Sequence, residues 1–552
     1  MFPTKMDFYS NIVFILWTCY SWVNCILFGP ENPIFLADPI TETACGLVKG
    51  LRQDGAYSFR GIPYAQPPVG QLRWRHPRPL SIDRGTCWSG VLDAREFGSQ
   101  CYQRNASDQS GFSGNEDCLY LNIWAPSLNK MARLPVMVWV HGGSLQNGNA
   151  NTLTYMPTAK LSKETNFVYV GMNYRLQAFG FMALEILSTN STTGTSGNYG
   201  LMDIIEALRW VQNNIHNFGG DPTKVTIFGQ SSGGTAVFAL LASALSKGLF
   251  HQAWLSSASP VLNKTARDAF KDNLVFLNNT GCSDIDCLYR LSPSQVTAAA
   301  PWDVYPYWSM EDMLDLPANG RFDGAIAIVD GYVLKEAPLE AWTNGQGIDV
   351  PVFIGSTAQE VDMAPSINFT GFTWEDYNHT VRKSLATFGN NIATMALKLY
   401  PPGHITPEYQ YTTMTSDVRV GCATDYLSLV AAKSFKSPIY RYVVTAWPSK
   451  PMKAFQLHAS PYSMHTMEMF GFFGSFDQML EQLSLSDVEF QNNVRSEVMS
   501  FVVRGHPNAS NWLPYPASVA EFSNSTKVVA SYHPAECLFW LTNGFFSYAW
   551  VN

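Results

Sequence analysis

Lys224-Val225-Thr226-Ile227-Phe228-Gly229-Gln230-Ser231-Ser232-Gly233-Gly234 runs from a short β-branched and aromatic stretch straight into a Gly-x-Ser-x-Gly turn. The stretch suits a buried strand, and the Ala- and Leu-rich residues after Gly234 suit a helix. A serine between two such elements sits on a sharp turn that lifts its Oγ clear of the sheet. Glycine is needed on both sides, because a Cβ there would collide with neighbouring backbone. Taken alone, the pentapeptide is equally compatible with a Gly-rich turn carrying a solvated serine. Its placement between strand and helix points instead to a nucleophile at Ser231.

Upstream, Pro135 to Val140 (PVMVWV) is a continuous apolar run ending in His141-Gly142-Gly143-Ser144. Such runs suit strands buried on both faces of a parallel sheet. Asn166 to Gly171 (NFVYVG), Asp349 to Gly355 and Pro438 to Thr445 predict further strands, and Leu201 to Asn214 has apolar residues at helical spacing before the Phe218-Gly219-Gly220-Asp221-Pro222 breaker. Strands alternating with helices imply an α/β fold with a mostly parallel sheet. The His-Gly-Gly-Ser loop is either a tight strand-ending turn or a set of backbone donors for a developing oxyanion; its place before the Ser231 turn favours donors. The candidates are the N–H groups of Gly143, Ser144 and Ser232, and losing one such donor typically costs about 10² to 10³ in rate.

At 552 residues with 46% hydrophobic and 14% charged residues, the chain is far from the composition of a disordered protein. Repeats and low-complexity linkers are absent, so one catalytic domain over residues 29–552 is the simplest organisation. A net charge of -8 without any Lys/Arg run excludes a nucleic-acid surface built on phosphate neutralisation.

Residues 1–28 have the look of a targeting segment. Lys5 precedes a largely apolar run from Ile12 to Val23, too short to span a bilayer comfortably, and Asn24, Cys25 and the Gly29-Pro30 breaker follow. A cleaved signal peptide is expected; without a clean A-x-A site, an uncleaved anchor is the alternative. No apolar stretch near the C-terminus suggests a tail anchor. Eight N-x-S/T sequons, at Asn105, Asn190, Asn263, Asn278, Asn368, Asn378, Asn508 and Asn524, fit a secreted, extracellular glycoprotein. Ten cysteines include no Cys-x-x-Cys pair and no histidine partners at zinc spacing, so a disulfide framework is expected and a metal site is not.

Several further motifs stand in order along the chain: Phe59 to Ala65 (FRGIPYA) with Pro67-Pro68-Val69-Gly70, Asn115 to Trp124 (NEDCLYLNIW), the His-Gly-Gly loop, Asn173-Tyr174-Arg175, Phe218 to Pro222 and the Ser231 turn. Together they resemble the type-B carboxylesterase and cholinesterase family over nearly the whole chain after the N-terminal segment. The resemblance implies an α/β-hydrolase fold with large insertions, no cofactor, and hydrolysis of small-molecule carboxylic esters through an acyl-enzyme. It places the remaining catalytic residues in the order Ser, Glu, His. Ile354 to Glu360 (IGSTAQE) resembles the family's strand-plus-Glu segment, with Asp362 the runner-up because Val361 stands where relatives have Gly. Tyr462 to Glu468 (YSMHTME) resembles its His-x-x-Glu segment, making His465 the base; His458 is the visible competitor.

The resemblance also suggests disulfides Cys101 to Cys118, Cys282 to Cys287 and Cys422 to Cys537, with Cys45 and Cys87 left as a fourth pair and Cys19 and Cys25 in the targeting segment. Arg73 with Glu116 and Arg175 with Asp203 resemble the family's buried ion pairs. Three positions depart from the family: Gln230 for Glu, Ser232 for Ala and Ser144 for Gly. The Cys101 to Cys118 segment also lacks the choline-binding Trp of cholinesterases, so esters without a quaternary ammonium are expected as substrates. A lipase, or a non-catalytic adhesion or binding protein of the same fold, is the alternative function.

Overall fold

In the computed structural model, residues 38–104, 111–302, 315–320, 326–363, 367–455 and 458–550 are described. The chain divides into two units, Met1–Pro39 and Ile40–Asn552. Residues 1–28, with Cys19 and Cys25, and Asn105 lie outside the described residues.

The apolar runs read from the sequence become neighbours in one sheet. Its strands are β1 (Leu51–Gln53), β2 (Ala56–Pro63), β3 (Tyr120–Ala125), β4 (Leu134–Val140), β5 (Val168–Met172), β6 (Gly220–Gln230), β7 (Gln252–Ser256), β8 (Val352–Thr357), β9 (Ile439–Val444), β10 (Val519–Phe522) and β11 (Thr526–Val529). Their order is β11-β10-β9-β8-β7-β6-β4-β5-β3-β2-β1. The block from β5 through β4 to β10 is parallel, and the pairs at either end are antiparallel.

Burial on both faces explains the unbroken apolar runs. Along β4 the side chains still alternate, as a pleated strand requires. Val136, Val138 and Val140 join one core cluster with Ile204, Ile205 and Leu208 of α1 (Tyr199–Asn214) and Val237 of α2 (Ser232–Leu241). Met137 and Trp139 face the other way, into a cluster with Phe228, Trp254 and Phe472, the last from a helix at Met467–Phe473. Helices thus cover both sheet faces, which is the α/β-hydrolase arrangement.

The parallel block brings the C-terminal ends of β4, β6, β8 and β9 to one edge, where ligands bind in open α/β sheets. Two buried ion pairs fix the connections leading there. Arg73 clamps Glu116 with both of its fork nitrogens at 2.6 Å, and Arg175 holds Asp203 of α1 at 2.8 and 2.6 Å while its own N–H donates to the same carboxylate. Such pairs fix geometry more surely than they add net stability.

Disulfides join Cys45 to Cys87, Cys101 to Cys118, Cys282 to Cys287 and Cys422 to Cys537. The last spans 115 residues, a loop whose closure is worth roughly 4 to 5 kcal/mol in the chain-entropy account. Of the seven described sequon asparagines, six are exposed and Asn378 is half-buried. Among the described residues no helix is long and apolar enough to cross a membrane.

Candidate active site

β6 ends at Gln230 and α2 begins at Ser232, so Ser231 occupies the turn alone. Its backbone is forced to φ 58°, ψ -130°, a region that serine rarely adopts and that the surrounding structure must impose. Its N–H donates to the Ser256 carbonyl at the end of β7, and its carbonyl accepts from Thr235 in the first turn of α2. Both flanking glycines are obligatory. A Cβ on Gly229 would meet the Gly233 carbonyl at 2.3 Å, and one on Gly233 would meet the Val140 carbonyl at 2.1 Å.

Beside this turn, the loop after β4 folds back on itself, the Gly143 carbonyl accepting from Gln146 and Asn147. His141 is buried and stacked on Tyr174 at 4.4 Å; its Nδ1–H donates to the Gly142 carbonyl, and burial pushes its pKa down to about 4, so it stays neutral and structural. Among the described residues no acceptor takes the N–H of Gly143, Ser144 or Ser232. Gly143 and Ser144 line the same cavity as Ser231.

Glu360 opens a tight 3-10 turn just after β8 and is fully buried. One of its carboxylate oxygens accepts from the Ser257 hydroxyl at 2.6 Å and the Thr357 N–H at 2.7 Å; the other meets Nδ1 of His465 in a short contact. The imidazole is set by a parallel bridge between Gln359 and Met464 immediately before it. Asp362 and His458 are elsewhere. Asp362 accepts from the Ser460 hydroxyl, burial pushes its carboxyl up to about 7, and His458 pairs with Glu408 at 3.7 Å.

Several neighbours of His465 could not be assigned from the sequence. Gln230 places its amide nitrogen 2.9 Å from His465 Nε2, while its amide oxygen accepts from the Tyr155 hydroxyl at 2.5 Å. An amide nitrogen only donates, so in this arrangement Nε2 keeps its lone pair and the ring proton sits on Nδ1, toward Glu360. Trp550 packs its ring on His465 at 4.7 Å, and its backbone N–H donates to the Arg419 carbonyl in a π-helical turn at Asp417–Gly421. Glu468, one helical turn beyond the histidine, is fully buried and accepts from Ser256 and Tyr442. Burial and the nearby Glu360 push its carboxyl up to about 6.

These groups surround a cavity of about 510 Å³ with Ser231 and His465 in its wall. Amides at Gln100, Gln103, Asn147 and Asn149 and rings at Tyr155, Phe455 and Trp550 make up much of the remainder, and Arg104 is the charged group at its edge. None of the described residues lining it is acidic.

The sequence profile described as the carboxylesterase family matches residues 37–540. Neurotactin of Drosophila melanogaster is 38% identical over 323 residues, which is 58% of this chain and 37% of that protein. Para-nitrobenzyl esterase of Bacillus subtilis (strain 168) is 32% identical over 503 residues, covering 87% of this chain and 94% of the esterase. Among solved structures, a thermophilic PNB esterase matches with TM-score 0.73 at 28% identity, over 91% of this chain and 100% of its own.

The raised Glu468 carboxyl generates a stability test. Because the folded state holds this proton more tightly than the unfolded chain, the group's contribution is full below its ordinary pKa and is lost as pH rises through about 6. Glu468→Gln cannot ionise. Between pH 4 and pH 8 the stability difference should therefore move in the variant's favour by about 2 kcal/mol, read from urea unfolding. A difference independent of pH would contradict this.

Proposed function

The chain belongs to the carboxylesterase family and is a serine hydrolase of carboxylic esters, and from that premise we propose that the acyl-enzyme forms on Ser231, with His465 as base and Glu360 as the acid that orients it. The carrying observation is that one cavity exposes Ser231 on its strained turn to a His465 whose Nδ1 is held by a buried, doubly hydrogen-bonded Glu360. In the first half-reaction, His465 Nε2 takes the serine proton as Oγ attacks the ester carbonyl. The N–H groups of Gly143, Ser144 and Ser232 hold the oxyanion, and His465 then protonates the departing alcohol. Water repeats the sequence on the acyl-enzyme and releases the acid. Glu360 keeps the ring proton on Nδ1 and stabilises the imidazolium without itself becoming protonated.

Gln230 must give way in this cycle: its amide N–H occupies the same Nε2 lone pair that takes the serine proton, so this contact has to open before Ser231 attacks. On the same reading, residues 1–28 direct the chain into the secretory pathway, residues 29–552 form the catalytic domain, and exposed sequon asparagines carry glycans in an extracellular enzyme.

Substitution separates the nucleophile from its neighbour. Ser231→Ala should abolish turnover of p-nitrophenyl butyrate while thermal unfolding stays close to wild type. Ser232→Ala should be mild, since the N–H survives. Comparable losses in both variants would place the nucleophile wrongly.

The substrate is a neutral ester. No acidic residue is among those described in the cavity wall, Gln230 contributes no negative charge, and the sequence from Cys101 to Cys118 contains no Trp. A cation-π contact is worth about 0.5 to 2 kcal/mol, so lacking one forgoes roughly 2-fold to 30-fold in selectivity. The kcat/KM ratio for butyrylcholine over its uncharged 3,3-dimethylbutyl isostere should be near one or below. A strong preference for butyrylcholine would overturn the neutral-ester reading.

A further inference from the structure

Outside the catalytic cavity, three chain segments bring Asp362, Glu408 and His458 together. Asp362 comes from the 3-10 turn that also holds Glu360, Glu408 from the first turn of a helix at Pro407–Ser416, and His458 from the residue before a short strand at Ala459–Ser460. The segments are tied to each other. The His458 N–H donates to the Met363 carbonyl at 3.0 Å, and the Ser460 hydroxyl donates to one Asp362 oxygen. One ligand-capable atom from each of the three side chains lies within 4.8 Å of the other two, and His458 Nε2 is 3.7 Å from Glu408 Oε1.

An independent observation points the same way. Asp362 is fully buried, yet its second carboxylate oxygen has no hydrogen-bond partner among the described residues. Buried polar atoms are almost always satisfied, and an exception calls for a bound ion or water. His458 is 38% exposed on its far side, so the group of three opens to solvent there.

We infer that Asp362, Glu408 and His458 form a binding site for a divalent transition-metal ion, of which Zn2+ is the type, distinct from the ester-cleaving centre. Two carboxylates and an imidazole match the N and O donors that such ions take, and the carboxylates neutralise its charge. Tetrahedral zinc with bonds of about 2.0 to 2.2 Å sets its ligand atoms roughly 3.3 to 3.6 Å apart, so the His458 and Glu408 atoms are nearly in place and the remaining gap closes by about 1 Å. The exposed side of His458 leaves an entry path and room for a water as fourth ligand. Because Asp362 is two residues from Glu360, the ion would brace the turn that presents the catalytic acid. No local motif announces the site, since its ligands stand 46 and 50 residues apart along the chain.

The test is a calorimetric titration of the EDTA-stripped, full-length mature protein with Zn2+ at pH 7.5, alongside thermal unfolding with and without the ion. The expected result is saturable binding of one ion per chain and a raised Tm. His458→Ala and Glu408→Gln should each weaken binding at least about tenfold and remove the Tm shift. In EDTA, both variants should keep wild-type kcat/KM on p-nitrophenyl butyrate, which shows them folded. Absence of saturable binding to the wild type, or undiminished binding in both variants, would overturn the proposal.

Discussion

Everything in this molecule that bears on chemistry depends on the backbone being held at φ 58° on Ser231. That conformation is costly for a side chain with a Cβ, by about 1 to 3 kcal/mol, and it persists only because neighbouring structure leaves no alternative. β6 is locked between β4 and β7 by parallel pairing, and α2 must pack against the same sheet a single residue later. The turn between them can be that short only if the Gly233 backbone lies against the Val140 carbonyl, at the very end of the strand that leads into the Gly143 and Ser144 loop. One close approach therefore sets both the Ser231 turn and the loop that carries the Gly143 and Ser144 N–H groups. A single added methyl at Gly233 would disturb both.

The second theme is the management of carboxylates in a dry core. Glu360 and Asp362 share one 3-10 turn, Glu468 follows His465 by three residues, and all three are fully buried. Glu360 is supplied with a hydroxyl, a backbone N–H and an imidazole N–H. Glu468 has two hydroxyl donors and sits in the field of Glu360, so its proton is retained to about pH 6. Asp362 has one hydroxyl donor and is pushed higher still. The supply of donors falls from Glu360 to Glu468 to Asp362.

How far the sequence discloses this can be followed residue by residue. The strands β4, β5, β6, β8 and β9 were legible because burial on both faces writes itself as an unbroken apolar run. β7 (QAWLS) and β10 (VAEF) are shorter and more mixed, and their assignment depends on the neighbours they pair with. Local motifs single out Ser231, Gly143, Ser144 and Ser232 as candidates, and the fold places Ser231, Gly143 and Ser144 on one cavity. Glu360 needed the family's order of residues to separate it from Asp362, which the geometry does by turning only Glu360 toward His465. The Gln230 contact, the Trp550 ring on His465 and the grouping of Asp362 with Glu408 and His458 were out of reach, because each joins segments that only the folded chain brings together. Gln230 did carry a trace, as a departure from the family at the position before the nucleophile.

The central claim is that this chain is a working serine hydrolase with Ser231 as its nucleophile. The most direct measurement is the mass of the folded protein after incubation with an organophosphonate ester, followed by peptide mapping. The account predicts one phosphonyl group per chain, attached to Ser231 and prevented by prior incubation with a slowly turned-over ester. A folded protein that gains no mass, or an adduct on any other residue, would contradict it.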